Sequence, residues 1–218
     1  MSIYKIQIKL LSDTTFGRGD GVTGLIDQEV EHDSDGFPYL RGRTLKGLLS
    51  EECDNLVVTL QTERNHWESI AAELFGVPAS TLHKMSIMHV GDACLPTDLR
   101  DAVALQLRST QSIAATEILE SLTTIRWQTA IAPDTGVADH NSLRSARVVL
   151  RDLCFTASLF FDTQPTDEML SLLAAGVAAL RRVGSGRNRG RGHVQCQLFD
   201  SCERNITQQY LSGFGGRV

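Results

Sequence analysis

The chain has 218 residues, 42% hydrophobic, 22% charged and 6% aromatic, with a formal net charge of −5. That length suits one domain, or one domain with insertions, and is enough to bury a proper core. The five cysteines (53, 94, 154, 196 and 202) form no CxxC or CxxH pair, no apolar run approaches membrane-spanning length, and Lys5 and Lys9 interrupt any signal-peptide pattern, which points to a cytoplasmic protein with free thiols and argues against structural zinc, a disulfide framework and a membrane span.

Residues 3–11 alternate, with Tyr4, Ile6, Ile8 and Leu10 apolar and Lys5, Gln7 and Lys9 polar, the pattern of a half-buried strand. Residues 12–40 are rich in Gly and Asp and lack a helical period; their one short apolar piece is Leu25-Ile26. Asp27 follows it, so its backbone is expected to be anchored while its carboxylate stays free. The residues alone rank it little above Asp13, Asp20, Glu29, Asp33 or Asp35. Gly42, Arg43 and Thr44 lead into a helix expected to start at Thr44 and run through Leu45, Leu48 and Leu49. A helix N-terminus preceded by glycine offers N–H groups and partial positive charge to an anion. Lys46, a cation where the helix dipole disfavours one, points to an offsetting partner such as phosphate; the alternative is a solvent-facing lysine.

A second short helix is expected near His66 to Phe75, with Trp67, Ile70, Ala71 and Leu74 on one side. Ile87 to Ala93 reads as a strand, 98–122 as a weakly helical inserted element, and Thr124 to Arg144, with Pro133-Asp134 and Gly136, as irregular. Arg147 to Asp162 is the longest strand candidate, with Leu153, Phe155, Ala157, Leu159 and Phe161 on one face. A helix over 167–182, with Thr166 as N-cap, and a strand over 193–199 close the pattern. Without the insertions, the order is strand, helix, strand, strand, helix, strand: an α+β chain of the ferredoxin-like, split βαβ kind with both helices on one face of an antiparallel sheet. The low aromatic content argues for nucleic-acid binding through backbone and loops rather than by stacking on the open sheet face.

Between that last helix and strand lies Val183-Gly-Ser-Gly-Arg-Asn-Arg-Gly-Arg-Gly-His193, preceded by Arg181 and Arg182. Gly184, Gly186, Gly190 and Gly192 permit positive φ and close approach to the main chain, and Arg187, Arg189 and Arg191 offer forked donors for phosphate. No Gly-Lys-Ser/Thr runs into a helix, and the glycines follow a helix rather than a strand, so neither a Walker loop nor a dinucleotide fingerprint fits. A helix, glycine loop and strand favour a single-stranded nucleic acid or another extended polyanion. The alternative is a solvated basic loop with no ligand.

Taken together, three patterns resemble the RAMP superfamily, and within it the repeating backbone subunit of type III CRISPR–Cas effector complexes. They are the loop Gly21-Val-Thr-Gly-Leu-Ile-Asp27-Gln-Glu-Val30, the segment Phe37-Pro-Tyr-Leu-Arg-Gly-Arg-Thr-Leu-Lys-Gly47, and the glycine-rich loop from Gly184 to Gly192. Leu74-Phe75-Gly76 and the Asp92-Ala93 strand also fit. The middle segment is similar to the family's Pro-Tyr-Ile-Pro-Gly-Ser-Ser-Leu-Lys-Gly, with Arg41 and Arg43 standing where proline and serine are frequent.

The resemblance implies a single RAMP domain over 1–218, a modified RNA-recognition-motif fold with insertions at about 12–40, 60–84 and 95–122. It also implies a thumb-like β-hairpin at about 124–144, with Arg126, Trp127 and Gln128 at its start. Copies or paralogues would line up along a CRISPR guide RNA with other Cas effector subunits. The target RNA would be cut once per subunit by Asp27 with a divalent cation, magnesium by expectation; the metal ligands are unknown. Guide contacts are expected from Arg18, Arg41, Arg43, Thr44, Lys46, Arg126, Gln128, Gly184, Ser185, Gly186, Arg187, Asn188, Arg189 and Arg191. Other readings are a non-catalytic guide-binding subunit, or a CRISPR RNA-processing endoribonuclease with His32 or His66 as its acid/base.

Overall fold

In the computed structural model, which describes residues 3–22, 26–60, 62–77, 85–109, 113–140 and 142–214, the N-terminal alternation becomes strand β1 (Tyr4–Leu10). Tyr4, Ile6, Ile8 and Leu10 are buried on one face, as a two-residue period dictates. β1 is central because both of its edges are paired. In chain order the other strands of this sheet are β2 (Met88–Val90), β5 (Cys154–Phe161) and β6 (Val194–Phe199). All pairings are antiparallel and the spatial order is β2-β5-β1-β6, with Ile6 opposite Ala157 on one side and Leu198 on the other.

Helix α1 (Gly42–Thr59) connects β1 to β2, and α5 (Asp167–Ala179) connects β5 to β6. Each crossover leaves one strand between the two it joins, so the expected α+β order is present. α1 buries Leu45, Leu49, Cys53 and Val57, a four-residue spacing that makes one stripe. α5 is buried along nearly its whole length, sandwiched by α1, α2 (Arg64–Phe75) and the short α6 (Thr207–Leu211). Gly176 lets α5 approach α1, since a Cβ there would collide with Cys53 Sγ. Burial pushes the Cys53 thiol far up, so this cysteine packs rather than reacts. No described helix is long and apolar enough to cross a membrane.

Four expectations about elements change. The weakly helical 98–122 resolves into two helices, α3 (Thr97–Ser109) and α4 (Ala115–Leu122). The irregular 124–144 is framed by a β-hairpin, β3 (Thr123–Gln128) against β4 (Arg144–Val149), in register from Thr123 opposite Val149 to Gln128 opposite Arg144. The single long strand over 147–162 divides between β4 and β5, which lie in different sheets. The chain turns between them through Asp152, in a left-handed conformation at φ 70°. No Gly or Pro occurs from 147 to 162, so nothing in the composition marks that turn. Finally, α1 starts at Gly42 rather than Thr44, because Asp92 Oδ1 accepts a 2.7 Å bond from Gly42 N.

The glycine–arginine loop is stitched to the start of the chain. Ser185 N donates to Thr15 O at 2.9 Å, and Gly192 N donates to Asp13 O at 2.9 Å. Its four glycines all have φ between 73° and 78°, but their surroundings differ. A Cβ on Gly184 would run into Thr15 O and one on Gly192 into Val183 O, whereas at Gly190 nothing lies within 4 Å. Gly190→Ala should therefore cost only the left-handed backbone penalty, about 1–2 kcal/mol. Gly192→Ala should cost clearly more, because the loop must also move off Val183. Urea unfolding of the two variants checks this, and equal losses would contradict the packing described here.

Candidate nucleic-acid interface

Residues 12–32 have few apolar side chains and no helical period, so they must satisfy their backbone against something else. The described ones do so partly within the segment, as where Arg18 N donates to Glu29 O and Glu31 N to Phe16 O, and partly along β4. Thr14 and Val149 exchange backbone hydrogen bonds at 3.0 and 2.7 Å, Gln28 N donates to Ser145 O at 3.2 Å, and Arg147 N donates to Gln28 O at 2.9 Å. A buried ion pair fastens this contact: Arg147 Nε donates to Glu29 Oε1 at 2.8 Å, while Arg147 Nη1 reaches Thr123 Oγ1 on β3 at 3.2 Å.

Asp27 is placed by the same contact. Its Oδ2 accepts from Ser145 N at 2.6 Å and from Ser145 Oγ at 3.1 Å, and its own N–H donates back to that Oγ at 3.1 Å. The carboxylate expected to be free is thus half engaged through Oδ2, and among the described residues no hydrogen bond occupies Oδ1. The backbone and hydroxyl bonds from Ser145, helped by the charge of Arg144, hold this carboxyl below the usual carboxylate range. At neutral pH it is an anion that can accept a hydrogen bond and cannot donate one.

The cleft it faces has a volume of about 830 Å³ and is also lined by Asp20, His140, Arg144, Gln128 and Arg189. Through Gln28, Gln128 and Arg189 it continues into a groove lined by Arg181, Arg182, Gly184, Ser185, Gly186, Arg187, Asn188 and Arg191, with Glu51 and Glu52 on its α1 side. Gln28 Nε2 donates to Ser185 Oγ at 2.9 Å, and Arg189 Nη1 donates to Gln128 Oε1 at 3.2 Å. Three segments far apart in sequence therefore meet: the Asp27 loop, the root of the hairpin and the glycine–arginine loop. The loop's charge is largely uncompensated. Among the described residues Arg181, Arg189 and Arg191 have no carboxylate partner, and Arg187 approaches Glu51 only to 3.8 Å. Arg182 donates to Arg187 O, which holds the loop's turn.

The remaining expected contacts do not join this groove as free donors. Arg18 is bound to Asp20 at 2.6 Å, Arg41 to Glu31 at 2.7 Å and Arg126 to Asp13 at 2.7 Å, so each guanidinium already has a carboxylate. Lys46 is half-buried with its Nζ already engaged, donating to Ser86 Oγ at 2.6 Å and Met88 O at 2.8 Å, and burial lowers its pKa. Arg43 and Lys46 line a different cavity between α1 and α2, with Val57, Phe75 and Met85. Thr44 is exposed on the first turn of α1, whose leading N–H is taken by Asp92. Ser145, Arg144, Gln28 and His140 are the site residues that sequence reasoning missed. None sits in a motif, and Ser145 lies 118 positions from the aspartate it holds.

Comparison with known proteins places the chain. The family model of the RAMP superfamily matches residues 7–195. No curated protein is significantly similar to the chain. A chain of the type III-B Cmr-beta complex bound to cognate target RNA, solved by cryo-EM, superposes with a TM-score of 0.64 at 12% identity, covering 96% of this chain and 98% of that one. A chain of the apo Cmr-beta complex gives 0.63 at 13% identity, covering 90% and 96%. At such identities the likeness is one of fold.

The Ser145 geometry makes a prediction. Because the folded pKa of Asp27 is depressed, its stabilising effect is present above the ordinary carboxylate range and is lost as pH falls through the lower folded value. Ser145→Ala removes the hydroxyl bond but keeps the backbone one. The Asp27 carboxyl should then titrate closer to its ordinary value, and part of the acid-range stability change should vanish. A carbon-detected NMR titration reads both variants, and an unmoved Asp27 would show that the hydroxyl contributes nothing.

Proposed function

The chain belongs to the RAMP superfamily, and on that footing we propose that it is a guide-RNA-binding backbone subunit of a type III CRISPR effector complex that cuts guide-paired target RNA at Asp27. The observation that carries this reading is the convergence of Asp27, the hairpin root and an uncompensated arginine groove on one continuous cleft. The similarity of fold to a Cmr-beta chain from a complex holding target RNA supports RNA as the polyanion. The partners that follow are the guide RNA, the target RNA and other effector subunits, copies or paralogues of this chain included, in the cytoplasm.

Arg181, Arg187, Arg189 and Arg191 meet successive phosphates along the groove, as planar forks suit phosphate oxygens. The RNA supplies its own nucleophile, the 2′-OH, so the protein need only hold one nucleotide in line and manage charge. As the 2′-oxygen bonds to the adjacent phosphorus, Asp27 Oδ1 takes its proton and the bond from phosphorus to the 5′-oxygen of the next nucleotide breaks, leaving a 2′,3′-cyclic phosphate and a 5′-hydroxyl that is protonated from water. Arg144 and Arg189, on the same cleft, face the charge that builds on the phosphate oxygens. Among the described residues no three His, Cys, Asp or Glu side chains come together as a ligand set, so a divalent cation here would be held by Asp27 together with phosphate oxygens of the RNA, where it would offset negative charge. The steps above use only protein groups and the RNA.

One observation favours a second reading. The Asp27–Ser145 bonds tether the loop to the hairpin, and a tether needs no catalysis. Asp27→Asn separates the two, since an amide oxygen can still accept from Ser145 while the charge is gone. In complexes reassembled with guide and partner subunits, labelled target RNA is incubated with magnesium or with EDTA. Loss of cleavage products by 100-fold or more in Asp27→Asn, with target binding unchanged, is the expected result. Wild-type cleavage by that variant would leave only the tether.

Phosphate gripping is tested separately. Replacing Arg187, Arg189 and Arg191 by Gln should weaken RNA binding for all sequences alike and lower the slope of log affinity against log salt by about 2–3. An unchanged slope would put the phosphate contacts elsewhere.

A further inference from the structure

We propose that Trp127 and the arginines around it form a nucleotide-stacking site on β3 of the hairpin, taking one unpaired base of single-stranded RNA on the indole and its phosphate on Arg151 and Arg191. This rests on the RNA-binding reading above and adds a subsite to it. Trp127 is 62% exposed on β3, where such a large apolar ring loses most by facing water. It lines a hollow of about 470 Å³ together with Asp13, Arg126, Arg151, Gly190 and Arg191.

Charge distinguishes this hollow from an ordinary surface. It contains three guanidinium groups and one carboxylate, that of Asp13. Asp13 Oδ2 is taken by Arg126 at 2.7 Å, and Oδ1 accepts the Arg151 backbone N–H at 3.2 Å. Among the described residues neither Arg151 nor Arg191 forms an ion pair through its guanidinium. Arg191 is also partly buried, with Arg126 and Arg189 as like-charged neighbours that the shared Asp13 carboxylate offsets only in part. A guanidinium does not relieve such crowding by losing its proton, so the arrangement favours a bound anion. At Gly190 the space where a side chain would stand is empty, and the main chain is open to a ligand.

A partner matching this hollow needs a flat π-face beside a negative group, which is the make-up of a nucleotide. A protein surface docking here would have to bring acidic side chains and an aromatic or apolar contact together. Continuity favours the RNA strand: Arg191 lines both this hollow and the arginine groove, so a strand leaving the groove passes the indole. Stacking of this kind is indifferent to base identity, as a subunit that must accept any guide requires.

The chain's only other tryptophan provides the test. Trp67 is buried, 4.9 Å from the Phe214 ring, so a Trp67→Phe background leaves emission from Trp127 alone. Titrating that full-length protein with a single-stranded RNA oligonucleotide of mixed sequence should quench the emission in parallel with binding followed by anisotropy. Trp127→Ala should weaken binding about tenfold without changing the salt slope, and Trp127→Phe should retain most of the affinity. Arg151→Gln should lower the salt slope by about one. RNA binding with unaltered Trp127 emission, or equal affinity in Trp127→Ala, overturns this site and leaves the groove standing. Emission that shifts with protein concentration in the absence of RNA assigns the indole to a second copy of the chain instead, and also overturns it. Failure of the wild-type chain to bind RNA would remove the broader reading together with the site.

Discussion

The contact on which the site depends is the buried ion pair between Glu29 and Arg147, with side-chain exposures of 5% and 15%. It joins a stretch with little core of its own, residues 12–32, to a hairpin that pairs with neither edge of the main sheet. Neither piece would hold its position alone, since a two-stranded ribbon is marginal in water and a glycine-rich loop has much entropy to lose. Removing one partner of such a pair leaves an uncompensated buried charge, at a cost on the order of 3–5 kcal/mol. The bonds that orient Asp27 run parallel to this clamp, two residues away on each strand. The aspartate, the hairpin and the arginine groove thus share one mechanical support.

The glycines of the basic loop divide their work. Gly184 and Gly192 let the loop lie on Thr14 and Thr15, a packing role that fixes where the arginines emerge. Gly186 and Gly190 supply left-handed turns on either side of the single 3₁₀ turn at Arg187–Arg189, and no backbone atom crowds them. The first pair therefore ties the loop to the protein, and the second pair shapes the part that faces the groove. A loop of the same charge without that anchoring would be a mobile cation, attractive to RNA but unable to register it against Asp27.

Legibility in the sequence followed the range of the contacts involved. β1, β5, β6 and α5 were readable because period-two and helical patterns are local, and the capping bond from Met169 N to Thr166 Oγ1 lies within one turn. The turn at 150–153 was hidden because neither glycine nor proline marks it, and an apolar alternation runs on past it. Arg187, Arg189 and Arg191 could be found from composition alone. Asp27 could be singled out only through resemblance, since a carboxylate's role depends on what surrounds it. Ser145 carried no signal at all: a serine at the foot of a hairpin is unremarkable until folding brings it to an aspartate 118 residues earlier. The partners of Arg41 and Lys46 were hidden for the same reason, because sequence shows a cation and not the Glu31 carboxylate or the Met88 carbonyl beside it.

Those occupied cations explain how a chain of net charge −5 can present a basic groove. Arg18, Arg41, Arg126, Arg147 and Arg204 each spend their charge on a carboxylate within 2.8 Å. Such pairs screen one another over most of the surface, and the field that remains comes from the few arginines left unpaired. Because Arg181, Arg189 and Arg191 cluster beside one another, their potential adds over the groove, while the acidic remainder repels RNA elsewhere. Carboxylates also line the path, Asp20, Asp27 and Asp139 in the cleft and Glu51 and Glu52 in the groove, so it is the density of arginines, not an absence of negative charge, that makes the groove a site for phosphate.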